Sequence, residues 1–317
     1  MDWKEKVTEL RALEKRPSWS EIYSIIQSEY FTELDIKKVE EKVRSWVRRQ
    51  PDYKREHQFG DLVQLEPLYF VDEWTGDKVI RFGLMGDTQI NSKYTQLTHL
   101  HNLYDIYARE GITKVYHTGD IDEGEEMRMG HKYECYTQGA DDHVEEIVRV
   151  YPKREGIVTE FITGNHDHSL FKRAGYDIGK SIEQRRDDMK YLGMDNAIIE
   201  LTPNCKLELR HPTDGTAYAL SYKIQRMVDS ISGGEKPNIL AVGHYHKMSY
   251  DFYRNIHAFQ TGCFQGQTPF TRGKGISVAV GGWLLEIHVH DDGSISRVKS
   301  EFIPYYKHIK DDYLNWR

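Results

Sequence analysis

The sequence predicts an α/β chain in which two packed sheets flanked by helices follow a small all-α N-terminal domain. Three observations carry that reading. From Val79 onward, strand-like runs such as VIRFGLMG, KVYHTGD and IVTEFITGN alternate with helix-like runs such as TQLTHLHNLYDIYARE and DDHVEEIVRVYP. From Ala197 the pattern becomes strand after strand, through AIIELT, CKLELRH, TAYALSY, NILAVGH, HAFQTG, SVAVGGWLLEIHVH and SRVKSEFIPY. Before Val79, the apolar residues fall at helical spacing instead.

Taken in order, the first helix is expected over Asp2–Lys15, with Trp3, Val7, Leu10 and Leu13 on one face and Pro17 ending it. Ser18 and Glu21 form a capping-box pattern ahead of a second helix carrying Ile22, Ile25 and Ile26. Asp35 can cap a third helix, whose buried face would be Ile36, Val39, Val43 and Val47 and which ends at Pro51. The expected domains are therefore a tri-helical unit over 1–56, a linker and added strand over 57–78, the α/β domain over 79–304 and a tail over 305–317.

Composition narrows the class. With 317 residues, 38% hydrophobic and 29% charged, the chain has an ordinary globular balance and room for one large domain and one small one. No apolar run is long enough to span a bilayer, so no membrane partner is expected. The opening MDWKEKVTEL has no apolar signal core. Cys135, Cys205 and Cys263 are scattered and match neither a disulfide framework nor a CxxC site, which fits a reducing cytoplasm. The net charge of −7 does not advertise nucleic acid, but its distribution is uneven. Between Lys37 and Arg55, eight basic residues face only three acids, Glu40, Glu41 and Asp52.

Four strings carry chemistry: GDTQ (86–89), GDID (119–122), GNHD (164–167) and GHYH (243–246). Each follows an apolar strand-like run, and each offers Asp, Asn, Gln or His where a strand ends. Gly permits the tight turn that aims such a side chain into a crevice. Mixed oxygen and nitrogen donors suit Mn, Fe or Zn better than an all-oxygen Mg cage. Buried Asp and Asn at a strand end also cap turns, so one string alone would decide nothing.

Together, these strings and His211 in LELRHPTDG resemble the pattern of the calcineurin-like metallophosphoesterase superfamily, over roughly residues 79–304. The resemblance implies a four-layer α/β/β/α metallophosphoesterase sandwich holding two divalent metal ions. Position by position, it implies that Asp87, Gln89 and His246 bind one metal, that Asp120 bridges, and that Asn165, His211 and His244 bind the other. His166 would sit over the phosphate as general acid or charge stabiliser, with Asp167 orienting it. Two metals would lower the pKa of a bridging water, and the resulting hydroxide would attack phosphorus in line. Gln89 stands where this family usually has His. An amide is the weaker ligand for Zn, so a looser first site biased towards Mn is expected, with Zn, Fe or Mg as alternatives. The substitution also leaves room for a degenerate site. His117 and His168 lie close to the motifs without fitting a ligand position.

The substrate class rests on the N-terminal helices. They resemble a helix-turn-helix module whose third helix carries Lys38, Arg44, Arg48 and Arg49, residues able to reach DNA phosphates or base edges. The combined expectation is a DNA phosphodiesterase of a nuclease-like branch, docked by residues 1–56. The alternatives are a phosphomonoesterase or cyclic-nucleotide phosphodiesterase, and a DNA-binding protein with a degenerate phosphoesterase domain. The sequence leaves the oligomeric state open, a homodimer being one option.

Overall fold

The computed structural model describes residues 2–13, 17–47, 67–215, 217 and 219–317. Chain contacts divide into two units, Met1–Leu65 and Glu66–Arg317.

The first unit holds three helices: α1 (Trp3–Ala12), α2 (Trp19–Tyr30) and α3 (Ile36–Val47). The Ser18–Glu21 capping box forms, and Asp2 with Glu5 forms a second one at the start of α1. Asp35 accepts from the Lys37 amide at 2.8 Å, which starts α3. Val7, Leu10, Ile22, Tyr23, Ile26, Val39, Val43 and Val47 make the core of this unit. Two expectations are corrected. Leu13 lies beyond the end of α1, and Ile36 sits in the first turn of α3, where its neighbours cannot yet cover it; both are exposed. Arg48 and Arg49 lie outside the described residues.

The second unit contains two six-stranded sheets. One consists of β2 (Val79–Met85), β3 (Lys114–His117), β4 (Val158–Thr163) and β5 (Met189–Met194), all parallel, extended antiparallel by β11 (Gly281–Val289) and β12 (Ile295–Pro304). The other has the order β1 (Leu68–Val71), β6 (Asn196–Thr202), β7 (Cys205–Arg210), β8 (Ile239–Val242), β10 (Ile256–Thr261) and β9 (Met248–Tyr253). Within it, β7, β8 and β10 run parallel.

Burial sorts these elements into four layers. Phe82, Leu84, Tyr116, Ile162 and Leu285 of the first sheet meet Ile199, Leu207, Leu209, Ala241 and Phe259 of the second in one continuous core. The outer face of the first sheet is covered by α4 (Leu97–Arg109), α5 (Ala140–Val150) and α7 (Ile178–Arg185), the short α6 (His168–Ala174) leading into the last. The outer face of the second is covered by α8 (Tyr222–Ser230), through Ile224 and Val228 against Leu240 and Ala258. Each fully buried aliphatic side chain contributes about 1.5–3 kcal/mol, so the inter-sheet core and the core under the first sheet's helices both stabilise this unit strongly. The fold is a four-layer α/β/β/α sandwich.

Several local expectations change. Of TAYALSY, residues 219–221 form a turn and not a strand, and Tyr222 opens α8, whose amphipathic spacing begins inside that string. Strands β5 and β9 are additional to the expected set. The added strand expected within 57–78 does form, as β1, and it pairs in parallel with β6. The last residues are not a loose tail: a short 3-10 helix (Asp312–Trp316) is docked by the Asp312 carboxylate, which accepts from the Thr98 amide at 2.7 Å and hydroxyl at 2.6 Å.

Candidate metal centre

Parallel strands deliver their side chains to one end of the sandwich. Asp87 follows β2, Asp120 follows β3 and Asn165 follows β4, while His211 follows β7 and the pair His244 and His246 follows β8. Both sheets therefore contribute donors at the carboxyl ends of strands, where open α/β sheets place their ligands.

The turns that bring them there are bent in an unusual way. Asp87, Gln89, Asp120, His244 and His246 have φ of 51°, 49°, 56°, 73° and 53°. The left-handed region is uncommon for residues with a Cβ and costs about 1 kcal/mol or more each. Five such residues in one cluster is strain concentrated where side chains must be aimed. Gly119, at φ 94°, gives the same freedom to the second motif. Gly164 has a different reason: a Cβ there would stand 2.6 Å from His211 Nε2 and collide with Asp120 Oδ1.

Around Asp120, acceptors converge. His211 Nδ1 donates to the Thr118 carbonyl at 2.7 Å, which leaves Nε2 as the ring's acceptor. That atom lies 3.2 Å from Asp120 Oδ2 and 3.1 Å from Asn165 Oδ1. His244 Nε2 donates to the Asp214 carbonyl at 2.7 Å, leaving Nδ1 unengaged. Ligand atoms of Asp120, His211 and His244 all lie within 4.8 Å of one another. On the other side, His246 Nε2 is 3.3 Å from Asp87 Oδ1, and Gln89 Nε2 is 3.1 Å from Asp120 Oδ2. Gln89 is fully buried, and its Oε1 has no hydrogen-bond partner. A buried carbonyl without a partner, beside carboxylates and imidazole lone pairs aimed at one another, is a donor set short of a cation. The donors gather in two neighbouring groups that could hold divalent metal: Asp87, Gln89 and His246 in one, Asn165, His211 and His244 in the other, with Asp120 contacting Gln89 and His211.

Electrostatics point the same way. Burial opposes charge on His211, but the Asp120 carboxylate outweighs it and raises the ring to about 10. Asp120 is itself buried, yet His211 and His166 hold it below the usual carboxylate range. Burial pushes His244 down to about 4, with the neighbouring His211 adding to the effect.

His166 is held by two contacts. Its main-chain N–H donates to Asp120 Oδ1 at 2.8 Å, and its Nδ1 donates to the Glu123 carbonyl at 2.6 Å. Its orienting partner is therefore Glu123 and not Asp167, which corrects the sequence expectation. The Asp167 carboxylate instead accepts from the amides of Gly164 at 2.8 Å, Asp122 at 2.9 Å and Ile121 at 3.3 Å. It ties the second motif to the third, because three amides converge on it before any side chain can.

Supporting residues missed in the sequence complete the shell. Glu123 is fully buried, raised to about 7 by that burial, and pairs with His131 Nε2 at 2.7 Å and with Gln265 Nε2. Glu123 directly follows GDID and was findable; His131 and Gln265 carry no pattern that marks them. Asp214, three residues after His211, accepts from the Tyr245 hydroxyl at 2.5 Å. His117 accepts from the Gly119 amide at 3.1 Å, burial having lowered it to about 3, so it shapes the GDID turn as a neutral ring. His168 instead contacts the Thr163 hydroxyl at 3.0 Å.

On the N-terminal unit, Lys38 is exposed, but Arg44 bonds Glu40 at 2.6 Å and the Tyr23 hydroxyl at 3.2 Å. Arg44 thus has an intramolecular role on its own helix. Among the described residues, no helix is long and apolar enough to cross a membrane. Cys135, Cys205 and Cys263 are free and buried.

No protein-family model matches the chain. Among curated proteins, the small subunit of DNA polymerase II from Methanothermobacter thermautotrophicus is 26% identical over 190 residues, covering 49% of this chain. The match covers 39% of that relative's own length, so the chain spans about two fifths of it. Among solved structures, an archaeal phosphodiesterase is 12% identical with a TM-score of 0.40, covering 71% of this chain and 100% of that one. Vps29 from Entamoeba histolytica, complexed with zinc, is 15% identical with a TM-score of 0.35, covering 71% of this chain and 99% of its own. In its four-layer sandwich and in the order of its ligand-bearing strand ends, the chain resembles the calcineurin-like metallophosphoesterases.

Proposed function

We propose that this chain is a metal-dependent phosphodiesterase acting on DNA. The observation that carries the catalytic half is the convergence of Asp120, His211 and Asn165 acceptors beside the unpartnered Gln89 carbonyl. When bound, two divalent ions supply Lewis-acid activation of water and charge neutralisation of the phosphoryl group. The chain's own residues do the rest. Asp120 fixes the spacing between the two donor groups. Thr118 and Asp214 lock the ligating nitrogens of His211 and His244 through the opposite ring atoms. With Nδ1 committed to Glu123, His166 presents Nε2 to the substrate, where it donates to a phosphoryl oxygen or hands a proton to the leaving group.

The DNA half is supported by the basic excess from Lys37 to Arg55. It is supported also by the relative, which is named as a DNA polymerase subunit. Because Arg44 is committed to Glu40 and Tyr23, docking falls to Lys38, Arg48 and Arg49 in this reading. A catalytically degenerate DNA-binding protein is the second reading, and the weak Gln89 ligand is what favours it.

Turnover of bis-p-nitrophenyl phosphate and p-nitrophenyl phosphate, with Mn added, separates these readings. The diester should turn over and the monoester should not. Asp120→Ala should lower the diester rate by about 100-fold or more, since it removes the ligand shared by both ions. A monoester preference would overturn the diesterase assignment. DNA retention without turnover in any metal would favour the degenerate reading.

A further inference from the structure

A surface cleft of about 700 Å³ is lined partly by the loops that follow Gln89 and Phe264, and none of its lining residues is a candidate metal ligand. That volume is within the range of small-molecule sites, roughly 300–1,000 Å³. Its lining includes Lys93, Tyr94, Arg272 and Lys310, with Asp311 the single acid. In a chain of net charge −7, three cations against one acid is a local reversal of sign. Arg272 and Lys310 are exposed, and among the described residues neither forms a salt bridge. Lys93 spends its ammonium on the Tyr133 carbonyl at 2.8 Å. Tyr94 is half-buried and lines the cleft.

The walls are rigid and continuous with the ligand loops. Gln96 grips the main chain of Ile309 twice, at 3.0 Å and 2.7 Å, and so fixes the segment that carries Lys310. The Gly266 amide donates to the Tyr94 carbonyl at 2.8 Å, and the Phe264 amide to the Asp87 carbonyl at 2.9 Å. Tyr94 is five residues from Gln89, which bounds their separation at about 18 Å even for extended chain.

We infer that this cleft is a subsite for single-stranded nucleic acid flanking the scissile phosphate, with Arg272 and Lys310 on backbone phosphates and Tyr94 under a base. The inference rests on the phosphodiesterase reading and adds to it the substrate form and a place for the neighbouring nucleotide. Unpaired cations beside an aromatic ring are the combination that binds single strands without reading sequence, because every base has a face to stack. A pocket on the same loops as the reacting centre suits a displaced or unpaired strand better than a duplex, whose bases are stacked away from side chains.

The test uses the full chain and a fluorescein-labelled oligothymidylate of about ten nucleotides, read by anisotropy in EDTA across a salt series. R272E/K310E should weaken binding by about tenfold or more and reduce the slope of log K against log salt by about 1.4, the value for two lost single-strand phosphate contacts. Tyr94→Leu should weaken binding about tenfold with the salt slope unchanged, and Tyr94→Phe should bind like the parent. All variants should keep kcat/KM for bis-p-nitrophenyl phosphate, which has no neighbouring nucleotide to place in the cleft. Equal binding by parent and R272E/K310E, or no binding by the parent, would overturn the subsite. Parallel loss on the small diester would overturn it too, since it would place these residues in the metal centre. If the parent binds as expected but turns over no diester, the subsite stands and the phosphodiesterase reading fails.

Discussion

Gln89 is the residue on which the metal preference turns. It is fully buried at φ 49°, with its Oε1 unpartnered and its Nε2 on Asp120. Histidine is among the few side chains enriched in the left-handed region, so Gln89→His is compatible with this backbone. An imidazole is also the better ligand for zinc. Gln89→His should raise zinc affinity by about tenfold in a chelator competition, the scale on which ligand-shell changes act. Unchanged or weaker zinc binding would mean that Gln89 does not face the metal. The gathering of the candidate ligands was legible at this scale because all but His211 stand in short Gly-bearing strings after strands. The role of Asp167 was not legible. Sequence places an acid beside His166, but only coordinates show that three amides reach it first while His166 turns to the Glu123 carbonyl.

At the scale of elements, the loop after β3 is anchored to α5 by a buried pair. His143 Nδ1 meets Asp122 Oδ2 at 2.7 Å, and both side chains are fully buried. Burial works against charge on His143, but Asp122 outweighs it and raises the ring from 6.5 to about 9. A pKa raised on folding stabilises fully below the unfolded value and is lost as pH climbs through the folded one. The parent should therefore lose stability relative to His143→Gln between pH 6.5 and about 9. The variant itself should be less stable by about 3–5 kcal/mol near neutrality, having left Asp122 without its charge partner. Thermal melts of both proteins across that window check it; parallel curves would mean that His143 does not carry the charge. The motif glycines act at this scale as well. Gly164→Ala should displace His211 or Asp120 and weaken metal binding while leaving the sheets intact, visible as unchanged far-ultraviolet dichroism with a lowered metal affinity. Alternation and caps made the main helices and parallel strands readable. β5 and β9 were not, because KYLGM and MSYDFY alternate too weakly to stand out. TAYALSY misled, because a short run of β-formers can start a helix when its next turn is amphipathic.

At the scale of the whole molecule, among the described residues the core of the three helices is built from residues up to Val47. The fragment 66–317 should therefore melt within about 3 °C of the same unit in the full chain, the shift that about 1 kcal/mol makes at this size. It should keep small-diester turnover while binding DNA more weakly. A collapse in stability would show that the units depend on each other. The added strand before the α/β domain was legible as an apolar patch, but its pairing with the distant β6 was not, because parallel partners far apart in sequence leave no local signal. The docked C-terminal turn was missed for the same reason: Asp312 looks like a surface acid until Thr98 is seen beside it. The central claim is that the acceptors gathered around Asp120 hold divalent metal that makes this chain a phosphodiesterase. Mn titrated into chelator-treated full chain, with bis-p-nitrophenyl phosphate hydrolysis followed, tests it most directly. The account predicts no rate at the start, a rise that saturates with metal, and a return to zero on adding chelator. A rate independent of metal, or none with Mn, Zn, Fe or Mg, would contradict it.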